Sequence, residues 1–207
     1  MRISSLSLLA AAVAALVPTL ASAQANADTG AWIVRARAVY LQSANKDSTG
    51  LDLSINDKTL PEVDISYFIT PNLATELILT VPQKQTLSAG GAAIGSLKHL
   101  PPVLSLQYHF TGQQGFRPYV GAGLNYTHFS SVSFDATTTE ALHPSIKKDS
   151  FGLALQAGVD IPVGGGWLVN LDVKKVQIKT DVSSSGTKVG TFKVDPLLVG
   201  LGVGKRF

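Results

Sequence analysis

The chain has 207 residues, no cysteine, and 17 basic against 14 acidic side chains, a formal net charge of +3. That length suits a single domain, the missing thiols exclude disulfides, lipid-anchored cysteines and thiolate metal sites, and the near-balanced charge without a basic-aromatic patch argues against a nucleic-acid partner. Hydrophobic residues make up 45% and charged residues only 15%, with 19 glycines, a mixture suited to a membrane β-barrel in which every second strand residue faces lipid.

In chain order, Arg2 precedes an uncharged apolar stretch from Ile3 to Leu20 and then the small-residue site Ala21-Ser22-Ala23. This is the order of a secretory signal peptide. An anchoring helix competes, because the apolar length nearly allows one; Pro18, Thr19 and the Ala-Ser-Ala site favour cleavage after Ala23. Residues 1–23 are therefore expected to be removed, with 24–207 forming one domain. No later run is long and apolar enough for a transmembrane helix.

The rest alternates with a period of two, the signature of strands. Residues 31–41 set Trp32, Val34, Ala36, Ala38 and Tyr40 against Arg35 and Arg37. Residues 61–69 set Val63, Ile65, Tyr67 and Ile69 against Asp64 and Ser66, and Thr70-Pro71-Asn72 reads as a turn. Residues 73–81, 102–110, 117–128 and 150–161 continue the pattern, with Glu76 and Asp160 on the polar faces. Pro162–Gly166 is a turn, and 167–180 set Trp167, Val169, Leu171 and Val173 against Asn170, Asp172 and Lys174. The apolar phase then passes to Val176 and Ile178, so a bulge or a rise out of the membrane is expected near Lys175. The last strand alternates Leu197, Val199, Leu201, Val203 and Phe207 with Leu198, Gly200, Gly202, Gly204 and Arg206.

Eight strands of about ten residues suit tilted crossings of a hydrocarbon layer. The segments 42–60, 82–101, 129–149 and 181–191 read as long polar loops, alternating with short connections at 70–72, 111–116 and 162–166. That asymmetry predicts an eight-stranded antiparallel transmembrane β-barrel of a Gram-negative outer membrane, loops outside and turns in the periplasm. A secreted sandwich or soluble barrel would have to bury the bulky face and expose mostly Gly, Ser and charge.

Several segments resemble the OmpW family of small outer-membrane barrels: Gly30-Ala-Trp32, Tyr67-Phe-Ile-Thr70, Asn72-Leu-Ala-Thr-Glu-Leu77, His99-Leu-Pro-Pro102, Gln107-Tyr-His-Phe110, Arg117-Pro-Tyr-Val-Gly-Ala-Gly-Leu-Asn-Tyr-Thr127, Asp149-Ser-Phe-Gly152, Gln156-Ala-Gly-Val-Asp160, Trp167-Leu-Val-Asn170, Val194-Asp-Pro196 and Lys205-Arg-Phe207. The resemblance implies an eight-stranded barrel that passes small hydrophobic molecules across the outer membrane, with one branch serving alkane and aromatic hydrocarbon uptake. It also implies that Ile78 and Lys174 stand at channel-lining positions; Lys174 departs from the family, where an aromatic can stand.

An eight-stranded barrel has room for its own side chains or one small ligand. The inward charges are Arg35, Arg37, Lys174 and Arg206 against Asp64, Glu76, Asp160 and Asp172, four against four, and are expected to pair and plug the lumen. Ile33, Val39, Phe68, Ile78 and Leu198 are apolar in inward phase and are expected to line the upper funnel. Pro82, Pro101 and Pro102 cannot donate ladder hydrogen bonds; they mark a candidate lateral opening, where an apolar solute would leave sideways into lipid. The expected partners are outer-membrane lipid, lipopolysaccharide through loop lysines, small hydrophobic solutes, and the barrel-assembly machinery through Phe207.

No metal, cofactor or catalysis is expected: His99, His109, His128 and His143 lack metal-ligand spacing, and a triad with Ser130, Ser145 or Asp149 would need loop folding that no motif supports. The competing function is a non-transporting barrel acting through its loops, in adhesion, membrane integrity or as a phage or toxin receptor.

Overall fold

The structure is a computed structural model and describes residues 30–111 and 115–207; the expected signal peptide lies outside the described residues. Strand β1 (Trp32–Gln42) is followed by the short β2 (Lys46–Asp47) and β3 (Leu53–Ile55), then by β4 (Lys58–Phe68) and β5 (Leu73–Thr80). A hairpin of β6 (Gln83–Ala89) and β7 (Ala92–Leu100) leads into β8 (Val103–His109) and the long β9 (Arg117–Phe134). Helix α1 (Ala136–Leu142) and β10 (Pro144–Ile146) precede β11 (Asp149–Gly164) and β12 (Trp167–Val176). A second hairpin, β13 (Lys179–Ser184) and β14 (Thr187–Lys193), leads to β15 (Leu197–Arg206).

Eight strands form a closed antiparallel barrel in the order β1-β4-β5-β8-β9-β11-β12-β15, with β15 returning to β1. These are the eight expected strands. No described helix is long and apolar enough to cross a membrane; the crossing is made by strands. Their outer face carries Leu104, Leu106, Leu124, Leu155, Leu171, Val199, Leu201 and Val203, all exposed. Such a continuous apolar belt is stable only against lipid. The rings of Trp32 and Tyr67 pack 4.7 Å apart at its turn end, and those of Tyr108 and Phe110 5.2 Å apart, as in an interfacial aromatic girdle.

The segments read as polar loops contain further strands. β6 and β7 pair with each other, and β7 continues the ladder of β9 above β8. β10, β13, β14 and β2 form a separate four-stranded sheet. The sequence pattern hid these elements because their inward positions are partly polar, as at Gln83 and Gln85, while small residues such as Ala92, Ala93 and Gly95 fill β7.

Nor is there a bulge at Lys175. The β11–β12 register runs unbroken from Val176 to Leu168, and Val176 and Ile178 hold the same inward phase as Asp172 and Lys174. What changes at that level is the lumen, which turns from polar to apolar. β12 leaves the barrel wall just above, passing into β13 of the second sheet.

Candidate functional site

Because strand side chains alternate faces, the inward residues of one strand record the lumen from bottom to top. On β1 they are Ile33, Arg35, Arg37, Val39 and Leu41; on β4, from the other direction, Phe68, Ser66, Asp64, Glu62 and Leu60. β12 repeats the order with Leu168, Asn170, Asp172, Lys174 and Val176. Three strands thus place charge at one height and apolar residues above and below it.

The lowest layer packs Ile33, Phe68, Ala74 and Leu168 together. Ile33 and Phe68, expected in the upper funnel, therefore sit at the periplasmic end. Arg206 is there too: its guanidinium lies 4.2 Å from the centre of the Phe68 ring, and its Nε donates to the Gly30 carbonyl at 2.7 Å.

Above this layer Arg35 donates to both Asp160 oxygens, at 3.0 and 2.6 Å, and to Asp64 at 2.8 Å. Arg37 donates to Asp64 and, at 2.9 Å, to Glu76; its other terminal nitrogen lies 3.2 Å from Asp172 and 3.4 Å from Glu62. Lys174 caps the network, 3.2 Å from Glu62 and 3.6 Å from Asp172. All eight of these side chains are buried.

The stems of the arginines lie over bare backbone of β15. A Cβ at Gly202 would stand 2.1 Å from the Ala36 carbonyl oxygen and 2.7 Å from Arg37 Cγ, and one at Gly204 would stand 2.7 Å from Arg35 Cγ.

The charge balance differs from the expected four against four. Arg206 stands apart in the lower layer, and Glu62 belongs to the network although the sequence reading omitted it. Three cations therefore face five carboxylates. Neutral donors offset the excess: Ser105 and Gln156 donate to Glu76 at 3.0 and 2.7 Å, Asn170 to Asp160 at 2.8 Å and the Tyr119 hydroxyl to Asp172 at 2.8 Å. Glu62 carries the same inward phase as Asp64, the signal by which it was legible.

Above Lys174 lies the largest apolar cluster among the described residues, which includes Val39, Leu41, Leu60, Ile78, Val103, Val176, Ile178 and Leu198. Val39, Ile78 and Leu198 are the expected funnel residues found at this level. A cavity of about 20 Å³ opens among Leu41, Leu60, Ile78, Val103, Val176 and Leu198, with Glu62 and Lys174 at its edge. That volume admits about one water molecule.

His99 also borders the cavity. Burial, helped by the charge of Lys58, pushes this imidazole down to a pKa of about 4, so it is neutral at ordinary pH.

The wall beside the cavity is incomplete. The β5–β8 ladder ends at Ile78 opposite Val103, and pairing resumes only at Gln83 opposite His99. Between them residues 79–82, ending in Pro82, face residues 100–102, which include Pro101 and Pro102, without ladder pairs. The Pro102 carbonyl is turned to the other neighbour, accepting from Tyr126 N–H at 3.2 Å and Asn125 at 3.0 Å. Thr80 and Pro101, on the two lips of this seam, both line the cavity.

Of the other histidines, His109 packs against Tyr119 in the barrel, ring centres 4.9 Å apart. His128 lies on the outer face, 2.8 Å from Asp149, and the Tyr126 hydroxyl donates to the same carboxylate oxygen. That pairing with Asp149 is one the sequence left to loop folding; the ladder of β9 and β11, with His128 opposite Asp149, provides it.

Comparison with known proteins decides the family, since the OmpW family model matches residues 28–207. The chain belongs to the OmpW family. It is 40% identical to the uncharacterized outer-membrane protein y4mB of Sinorhizobium fredii, over 85% of this chain and 80% of that one. It is 30% identical to the dibenzothiophene metabolism operon protein PahQ of Pseudomonas aeruginosa, over 82% and 80%. Among solved structures, the crystal structure of the outer membrane protein OprG from Pseudomonas aeruginosa superposes with a TM-score of 0.75 at 26% identity, covering 86% of this chain and 96% of that one. Like y4mB and OprG, this is an outer-membrane protein.

Proposed function

We propose that the barrel carries small hydrophobic molecules from the cell exterior through its outer chamber and releases them sideways into the membrane. The observation that carries this reading is the unpaired seam between β5 and β8, bordering an apolar cavity directly above a waist filled by side chains. A solute that enters from outside meets buried charge below and apolar wall around it, so its lower-energy path is lateral.

The cavity is smaller than any such solute, and passage requires the seam to part. Few hydrogen bonds oppose that at residues 79–82. The operon in which PahQ is named handles an aromatic, apolar compound, consistent with this solute class. The protein acts as a channel and not an enzyme, each buried carboxylate being committed to the network. Loop lysines facing the lipopolysaccharide would hold the outer sheets among its phosphates.

The test is protein-dependent uptake of a radiolabelled small hydrocarbon by cells, with the intact protein, Ile78→Arg and a variant lacking the 82–101 hairpin. Ile78 is 2% exposed at the cavity wall, so arginine there fills the chamber with charge. Saturable uptake lost in Ile78→Arg is expected. Equal uptake in all strains, with the barrels shown to be folded, would refute transport and leave a loop-mediated receptor or structural role.

A further inference from the structure

One edge of the outer chamber carries a relay of hydrogen bonds that fixes the state of a histidine. The Gln85 side-chain nitrogen donates to the Asn56 carbonyl at 2.5 Å, which commits its Oε1 to accept. His99 Nε2 is bonded to that oxygen and is therefore the protonated nitrogen. In a neutral imidazole the other nitrogen, Nδ1, then holds a lone pair and no hydrogen.

Among the described residues, Nδ1 of His99 is buried without a hydrogen-bond partner, on a ring that borders the cavity with Ile78, Val103 and Leu198. A buried acceptor left unpaired is costly, and an occupant that donates to it recovers that cost. A carbonyl oxygen would meet lone pair against lone pair and gain nothing. An ammonium could donate, but moving its charge into an apolar chamber outweighs one hydrogen bond. A bare hydrocarbon leaves the nitrogen as it was.

We propose that the chamber prefers apolar molecules bearing one hydroxyl group, an alcohol or a phenol, over the corresponding hydrocarbon, with His99 as the residue that accepts the hydroxyl hydrogen bond. The inference rests on the uptake reading above and names its solute class. Discrimination of this kind is efficient because the penalty falls on the site's own unpaired group. It also gives the 53–57 segment a role, since Asn56 sets the orientation of Gln85 and Gln85 sets the tautomer of His99.

The experiment compares protein-dependent initial uptake of radiolabelled 1-octanol, n-octane and 2-octanone in cells carrying the intact protein, His99→Leu or Gln85→Met. Folding of each is checked by the heat-dependent gel mobility of the barrel. The intact protein should favour octanol over octane, and His99→Leu should lower that ratio about fivefold, the worth of one hydrogen bond near 1 kcal/mol, while octane uptake persists. Gln85→Met frees the tautomer, so the octanol ratio should fall and octanone uptake should rise; it decides the matter if His99→Leu does not fold. A folded variant that lowers octanol and octane equally, or changes neither, overturns the proposal while leaving uptake intact. If no solute's uptake depends on the protein, the uptake reading fails and this inference with it.

Discussion

Removing the positive charge of Lys174 should damage the barrel more than removing its negative partner. Lys174 is 2% exposed and lies 3.2 Å from Glu62 and 3.6 Å from Asp172. Lys174→Met leaves two cations against five carboxylates, and Glu62, at the edge of an apolar cavity, keeps Arg37 at 3.4 Å as its remaining cation. Breaking a buried pair in this way costs about 3–5 kcal/mol. Glu62→Gln moves the balance the other way, to three against four, and the amide oxygen can still accept from Lys174; its cost should be about 1 kcal/mol, that of an ordinary hydrogen bond. The double variant should recover much of the loss in Lys174→Met, because it removes one of the excess negative charges. The assay is reversible urea unfolding in lipid vesicles, followed by tryptophan fluorescence. Equal costs for the two single variants, or a larger one for Glu62→Gln, would refute the claim that the waist is dry and short of positive charge.

Two further outcomes are expected. Leu155 points outward and is 63% exposed on the lipid face; Leu155→Arg should destabilise the barrel in vesicles by about 2–4 kcal/mol, and a change under 0.5 kcal/mol would place that belt outside the hydrocarbon. His99, on the β6–β7 hairpin beyond the membrane-spanning ladder, has its pKa held near 4 by burial. The opened hairpin regains the ordinary value near 6.5, so its stability is fully present above that pH and is lost as the pH falls toward 4. Protection factors across 83–100, which are corrected for the slowing of intrinsic exchange at lower pH, should therefore fall through this window, and the same fall in His99→Gln would exclude His99 as its cause.

The alternation of apolar and polar residues was enough to find all eight wall strands, because each has a lipid face that must be apolar whatever the lumen holds. Inward phase also placed Arg35, Arg37, Asp64, Glu76, Asp160, Asp172 and Lys174 inside. Phase tells the face but not the height, and this explains the errors. Arg206, Ile33 and Phe68 are inward yet fall below the charged tiers, because their strands reach the turn end there. Glu62 escaped notice beside Pro61, at the margin of a strand that in fact begins at Lys58. The outer hairpins were invisible for a different reason: above the membrane no lipid imposes an apolar outer face, so a strand there needs no alternation. The seam at Pro101 and Pro102 was legible as missing donors, whereas its adjacency to the cavity depends on a register that only the folded chain fixes.

The filled waist has a consequence for the cell that makes this protein. Arg35, Asp64 and Glu76 are wholly buried, so side chains rather than an open bore occupy the middle of the barrel among the described residues. A general pore trades nutrient supply against entry of water-soluble toxins, and its copy number is held down by that leak. Under the proposed uptake reading, a barrel filled at the middle escapes the trade: its abundance would rise with demand for its cargo without adding a water-filled path through the envelope.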